Sequence, residues 1–260
     1  MAGARGRAYG RSVADPADRA PADLRPGVLL DVDGTLLDTN YLHVLAWWRA
    51  LRDAGVEGVD MATVHRAIGI ASEGLVERVV GSGGLDQPPG GGGGDVDDDL
   101  VERASDGHSA HYEELREHVT AFPGVADLLH ALAGKGLAVV LATSGAAEDL
   151  DWMQPAIGAE DAVAGATTSG DVEDAKPAPD LLSTAVEQHG LDPDRTTAVG
   201  DTVWDVESAK AAGLPCIALT CGGISREELE QAGAALVLTS PRELLERLDD
   251  PAVTAVLLRG

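Results

Sequence analysis

The chain has 260 residues, 44% of them hydrophobic but only 3% aromatic, enough for one sizeable α/β domain or a core plus a smaller module, packed mostly with aliphatic side chains. A formal net charge of −25 argues against binding nucleic acid or an anionic membrane through bulk electrostatics, so any anion site needs a local cation, a lysine or backbone N–H groups. The two cysteines, Cys216 and Cys221, make neither a zinc framework nor a disulfide scaffold, and no apolar run nears the roughly 18 residues of a membrane span, so a reduced, cytoplasmic protein is expected.

Residues 1–26 are rich in Ala, Gly and Pro, with five Arg against three Asp and no apolar stretch of the kind a secretory signal requires; they read as a mobile tail. From Gly27 the pattern becomes regular. "GVLLDVDGT" is an apolar run of strand length that ends on Asp31 and Asp33, one residue apart. Like charges that close resist joint ionisation, so a turn, a metal or a reaction must offset the repulsion.

Residues 39–120 change character and read as mostly helical. "YLHVLAWWRALRDAG" sets Leu42, Leu45, Trp48 and Leu51 on one helical face, with Gly55 able to stop the helix. "SEGLVERVVG" and "DDLVERASDGHSAHYEELREHV" follow as further helices, the latter carrying His108, His111 and His118 without an acidic or cysteine partner that would complete a zinc site. Between them, residues 81–99 include five consecutive glycines and a run of acids, and form a flexible, solvated loop without the ligand spacing of an EF-hand.

Strand candidates then recur at Leu137–Ala142 and in "TTAVGDT", "PCIALT" and "AALVLTS", separated by the helical patterns "VWDVESAKAAG", "SREELEQAG" and "SPRELLERLDD". In the last, Ser240 is the expected N-cap, Pro241 the first helical residue and Glu243 the capping-box partner. Strands alternating with helices imply parallel βαβ units. The expected fold is a doubly wound, Rossmann-like α/β core from residues 27–38 and 121–260, with a mostly helical insertion of residues 39–120 inside it.

In such a sheet, ligands bind beyond the carboxyl ends of the strands. Asp31, Asp33, Thr143, Ser144 and Asp201 fall at those ends, Asp205 follows Asp201 by one helical turn, and Lys176 sits in a loop braced by Pro177 and Pro179. Taken singly, each has a plainer role as a turn, a loop, an N-cap or a surface charge. Taken together, hard oxygen ligands with positions left over suit Mg²⁺ and a substrate phosphate. A carboxylate so placed can attack phosphorus, a second can carry a proton, and the lysine and hydroxyls can hold the remaining phosphoryl oxygens.

These motifs, "DVDGTLLDT", "VVLATSG", "DAKPAPD" and "VGDTVWD", resemble the four of the haloacid dehalogenase-like hydrolase superfamily in order and spacing. The resemblance implies Asp31 as nucleophile forming an aspartyl-phosphate and Asp33 as general acid and base, with Gly34 beside them. It also implies Thr143, with Ser144 beside it, for phosphate binding and Lys176 for charge neutralisation. Mg²⁺ would be held by Asp31, the backbone carbonyl of Asp33 and Asp201, with Asp205 a second acidic ligand or a water-mediated one. Asp33 itself argues for phosphoryl chemistry, since dehalogenases of the family lack that second aspartate. The helical insertion resembles the family's small α-helical cap in position and type; phosphonatases use a cap lysine, whereas the first lysine here is Lys135, outside the cap.

Sugar phosphomutases of the β-phosphoglucomutase type share the position of His43. They also use a cap arginine where this chain has Ser72, with Arg66 some residues earlier, so His43 and Arg66 stand as candidate substrate contacts from the cap. The expected activity is a Mg²⁺-dependent phosphatase acting on a small phosphorylated metabolite; a sugar phosphomutase and a non-catalytic binding protein of this fold are the alternatives. A monomer or weak homodimer is expected.

Overall fold

The computed structural model describes residues 24–81, 96–172 and 176–258. The tail expected over residues 1–26 lies outside the described residues as far as residue 23, and the loop expected over 81–99 lies outside them from 82 to 95.

Six strands make one parallel sheet: β1 (Arg25–Leu30), β2 (Ala138–Ala142), β3 (Val163–Thr167), β4 (Leu191–Gly200), β5 (Cys216–Leu219) and β6 (Leu236–Leu238), in the order β3-β2-β1-β4-β5-β6. The first strand thus begins at Arg25, two residues before the apolar run. The chain moves outward from β1 to β3 and re-enters on the opposite side of β1 as β4, so the strand order reverses between β1 and β4. That reversal opens a crevice at the carboxyl ends of the two central strands.

Period-two alternation along β1 sends Val28 and Leu30 to one face and Leu29 to the other. The first face packs on α5 (Val125–Gly134), α6 (Leu150–Ile157), α10 (Pro241–Glu246) and α11 (Pro251–Leu257), through Leu128, Met153, Leu244 and Val253. The second packs on α7 (Asp180–Gln188), α8 (Val203–Ala211) and α9 (Arg226–Ala232), through Leu181, Val206 and Leu229. Covering both faces is what makes the central strands read as unbroken apolar runs.

Between β1 and β2 lie α1 (Asn40–Asp53), α2 (Met61–Ala67), α3 (Ser72–Gly81) and α4 (Asp98–Glu113), which share a separate apolar cluster including Val44, Trp47, Val64, Leu75 and Val76. Helix α4 begins at Asp98, inside the stretch expected to be loop, with the Asp97 side chain accepting from Leu100 N–H as its cap. The inner face of α1 differs from the periodicity reading. Of Leu42, Leu45, Trp48 and Leu51 only Leu51 is buried, and the buried row is Val44, Trp47 and Leu51. Both rows are apolar; Trp48 stays at the margin because its indole N–H reaches Val59 O at 3.0 Å.

Helix α10 keeps its expected cap at Ser240, but the Glu243 carboxylate reaches past it to Thr239, accepting from both the backbone N–H and the hydroxyl. Among the described residues no helix is long and apolar enough to cross a membrane.

Candidate active site

Asp31 extends the sheet by one bond, its N–H donating to Val199 O at 2.9 Å, and so stands at the crevice between β1 and β4. Val32 O then accepts from both Leu36 and Leu37, which winds "VDGTLL" into a tight loop. Gly34 sits there at φ +77°, where any Cβ would also collide with the Asn40 side chain, so the turn requires glycine. Asp201 follows β4 in the same way. Thr202 caps α8, and Asp205 three residues later returns its Oδ2 to the Thr202 N–H and hydroxyl.

The result is a buried charge cluster. Lys176 Nζ bridges Asp31 Oδ1 at 2.6 Å and Asp205 Oδ1 at 2.7 Å, and the lysine is 3% exposed. Asp201 is fully buried and accepts at Oδ1 from the Thr35 hydroxyl at 2.8 Å and at Oδ2 from Asn40 Nδ2 at 2.7 Å. Asp31, Asp201 and Asp205 each offer a carboxylate oxygen within 4.8 Å of the others, the only grouping of this kind among the described residues. One lysine does not balance three carboxylates. Burial pushes the Asp31 carboxyl up to about 7, opposed by the Lys176 charge and reinforced by Asp205. Burial likewise raises Asp201, reinforced by Asp205 and Asp31. Lys176, despite a burial that would lower it, is held in its charged form by Asp205 and Asp31. A cluster with this excess of hard oxygen donors fits a divalent cation.

Asp33 faces the other way. Its Oδ1 accepts from the Thr39 hydroxyl at 2.7 Å and lies 3.2 Å from His43 Nε2. Burial alone would raise this carboxyl, but the His43 and Thr39 contacts bring it below its usual value. His43 Nδ1 is 3.0 Å from His108 Nε2, and His108 stacks on Trp47 with ring centroids 4.3 Å apart.

Asp31 and Asp33 floor a cleft of about 320 Å³. Ser144 and Gly145 line it from the β2 end, and Ser144 Oγ donates to Gly69 O at 3.3 Å. Thr143 is buried beside them; its hydroxyl oxygen accepts from Gly145 N–H at 3.0 Å and its own hydrogen stays free to donate. His43, Trp47, His108, Tyr112 and Arg116 form the facing wall. Arg66 is not in that lining. It pairs with Glu228 of α9 on the outer surface, and its carbonyl accepts from the Trp204 indole at 3.2 Å. The three histidines of the α4 region diverge, since His111 meets Asp53 and His118 lies by Glu117.

Sequence reasoning did not find Thr35, Thr39, Asn40, His108, Tyr112 or Arg116 as parts of the site. Thr35, Thr39 and Asn40 follow the Asp31–Asp33 pair within one loop, and that proximity was the available signal. Nothing local marks Tyr112 or Arg116.

A doubly wound sheet with Asp31, Thr143, Lys176 and Asp201 gathered at its carboxyl edge defines a hydrolase class. The sequence profile of haloacid dehalogenase-like hydrolases matches residues 28–219, and the chain belongs to that family. It is a phosphatase. A phosphoglycolate phosphatase of Pseudomonas putida (strain KT2440) is 31% identical over 241 residues, covering 91% of this chain and 85% of that one. The phosphoglycolate phosphatase of Escherichia coli K12 is 31% identical over 259 residues, covering 88% and 94%. Among solved structures, a hydrolase from Pseudomonas syringae superposes with a TM-score of 0.77 at 30% identity, covering 87% of this chain and 99% of that one. A putative β-phosphoglucomutase from Bacteroides vulgatus shares the fold, with a TM-score of 0.75 at 20% identity and 90% of each chain covered.

Proposed function

We propose that the protein is a Mg²⁺-dependent phosphatase that hydrolyses a small phosphomonoester by transferring the phosphoryl group to Asp31. The observation that carries the reading is the Lys176 bridge between Asp31 and Asp205 beside the buried Asp201. Mg²⁺ would be held by the Asp31 and Asp201 carboxylates and the Asp33 carbonyl, and when bound it supplies positive charge to the carboxylate cluster and to the phosphoryl oxygens. Asp205 gives both oxygens to Lys176 and to the start of α8, so its part is to aim the lysine, with any contact to the cation made through water.

An Asp31 oxygen attacks phosphorus as the bond to the ester oxygen breaks, and that leaving oxygen takes a proton from Asp33. Asp33, now a carboxylate, removes a proton from water; the water oxygen attacks phosphorus and releases phosphate and free Asp31. Asp33 Oδ1 is occupied by Thr39 and His43, which leaves Oδ2 to carry the proton. The depressed Asp33 pKa favours the base half of this cycle, and the proton that Asp33 takes from water is the one it gives to the next leaving oxygen. Lys176 and the Thr143 hydroxyl hold the equatorial oxygens while charge redistributes, with Ser144 lining the cleft beside them.

Residues 39–120 act as a cap on a core of residues 27–38 and 121–260, a division supported by the separate apolar cluster of α1–α4. A mutase needs a second cation-lined phosphate site. Arg66 is committed to Glu228, and the terminal nitrogens of Arg116 in the cleft wall are committed to Glu113 and Asp149, which favours water as the acceptor. A cytoplasmic setting suits the free thiols of Cys216 and Cys221. The relatives make 2-phosphoglycolate the first ester to test.

The test is phosphate release from this ester and from a chromogenic phosphate ester, with Mg²⁺ and after chelation. Turnover that needs Mg²⁺ and falls roughly 10⁴-fold or more in Asp31→Asn is expected. Equal rates in wild type and variant would sink the reading.

A further inference from the structure

Two hydrogen-bond donors in the cleft wall are buried without a partner. Tyr112, near the end of α4, is 4% exposed and its Oη makes no hydrogen bond; Arg116, a few residues on, has a buried Nε that makes none either. Folded proteins ordinarily supply an acceptor to such groups, because burying a donor unpaired is unfavourable. Both side chains line the cleft that Asp31 and Asp33 floor.

Both side chains are also held by neighbours on their other sides. Arg116 Nη2 donates to Asp149 Oδ1 at 2.8 Å, Nη1 pairs with Glu113, and the guanidinium lies 5.2 Å from the Trp152 ring centre. Asp149 is held in turn by the Trp152 indole N–H at 3.1 Å. The terminal nitrogens of Arg116 are thus committed, and its Nε–H edge is what remains. The Tyr112 ring stacks on His43 with centroids 3.9 Å apart, and His43 lies 3.2 Å from Asp33 Oδ1, so the phenol stands one ring away from the acid–base carboxylate. Burial pushes the phenol far above its usual range, so its oxygen keeps a hydrogen to give.

An Nε–H and a phenolic O–H, one of them on a cation, complement an acceptor with no hydrogen of its own. A carboxylate meets that description; a sugar hydroxyl must also place its own hydrogen, for which Arg116 offers no acceptor. In a chain of net charge −25 an anionic group needs directed donors of this kind. We propose that Tyr112 Oη and Arg116 Nε receive a carboxylate carried by the substrate beside its phosphate ester, so that the cleft selects small phosphorylated hydroxy acids. The inference rests on the phosphatase reading above and adds the residues that choose the substrate. Both atoms are shielded from water here, so the acceptor reaches them with the side-chain adjustment that binding commonly brings.

The test compares kcat/KM for 2-phosphoglycolate and for 2-hydroxyethyl phosphate, with Mg²⁺, in wild type, Tyr112→Phe, Arg116→Gln and Arg116→Lys. Wild type should prefer the carboxylate ester, and the ratio of the two kcat/KM values should fall about tenfold to a hundredfold in each variant, mostly through KM. Arg116→Lys keeps the charge but loses the Nε–H edge, so a ratio restored to wild type there would overturn the directed contact. Ratios unchanged in Tyr112→Phe and Arg116→Gln would overturn the proposal. Equal kcat/KM for both esters in wild type would overturn it while leaving the phosphatase reading intact, and no hydrolysis of these two or of the chromogenic ester would remove both. A comparison needing no variant is inhibition of wild type by 3-phosphonopropionate and by propylphosphonate. At least about tenfold stronger inhibition by the carboxylate compound is expected; equal inhibition contradicts the assignment.

Discussion

At the scale of single residues, Lys176 and His108 hold opposite kinds of burial. Lys176 is a buried cation between two carboxylates, and removing one member of such a set leaves the others uncompensated. Lys176→Met should therefore lower stability by about 3–5 kcal/mol in chelator, read from urea unfolding, and Mg²⁺ should restore part of the loss. His108 is a buried neutral base: burial, with His43 adding to it, holds its pKa down to about 3 against an ordinary 6.5. The folded chain then refuses a proton that the unfolded chain accepts. That contribution to stability is complete above about pH 6.5 and is lost as the pH falls toward 3, at roughly 1.4 kcal/mol per pH unit. With Mg²⁺ present to keep the carboxylate cluster ionised, the urea midpoint should drop between pH 7 and pH 5 in wild type and drop less in His108→Phe. Lys176 was legible in the sequence only through its place in order among the strand-end residues, since a lone lysine before Pro177 is as easily a surface charge. His108 was not, because a histidine on a helical pattern looks the same whether it faces solvent or a tryptophan.

At the scale of elements, the site is held by loops that lock into one another at the carboxyl edge. Asn40, at the start of α1, bonds both Asp201 after β4 and Gly222 O after β5, at 2.7 and 3.1 Å. Gly222 O also takes His65 Nε2 of α2 at 2.9 Å, so this one turn joins the sheet edge to the helical insertion. A Cβ at Gly222 would collide with the Asp201 carboxylate. Gly222→Ala should displace Asp201 and weaken Mg²⁺ binding: the Mg²⁺ concentration for half-maximal rate should rise about tenfold to a hundredfold, the range for disturbing the surroundings of a metal ligand. An unchanged Mg²⁺ requirement would mean Asp201 is not a ligand. The alternation of β4–β6 with α8–α10 was readable because both sheet faces are covered. The short helices α6 and α11 were not, nor was β3, where "VAGAT" buries only Thr167 at the sheet edge and has no apolar run to announce it. The buried row of α1 was misread for a related reason, since two rows of that helix are apolar and only docking against its neighbours selects one.

At the scale of the whole molecule, the net charge of −25 opposes the approach of a phosphorylated acid, and local cations act only once the substrate is close. Raising ionic strength from about 20 to about 200 mM at fixed Mg²⁺ shortens the reach of that repulsion, so kcat/KM for 2-phosphoglycolate should rise severalfold while kcat changes little. A fall instead would mean that a positive field around the cleft guides the substrate. Charge and motif order were visible in the sequence, and so were Asp31, Asp33, Lys176, Asp201 and Asp205. The wall formed by Tyr112 and Arg116 was not, because it depends on how an inserted helical unit meets the core, which no local pattern encodes. The central claim is that Asp31 carries the phosphoryl group, and the most direct measurement is acid quenching of wild type during turnover of 2-phosphoglycolate with Mg²⁺, followed by peptide mass mapping. A phosphoryl group on Asp31, absent without Mg²⁺, is the expected result. Turnover with the phosphoryl group on another residue, or sustained at the wild-type rate by Asp31→Asn, would contradict it.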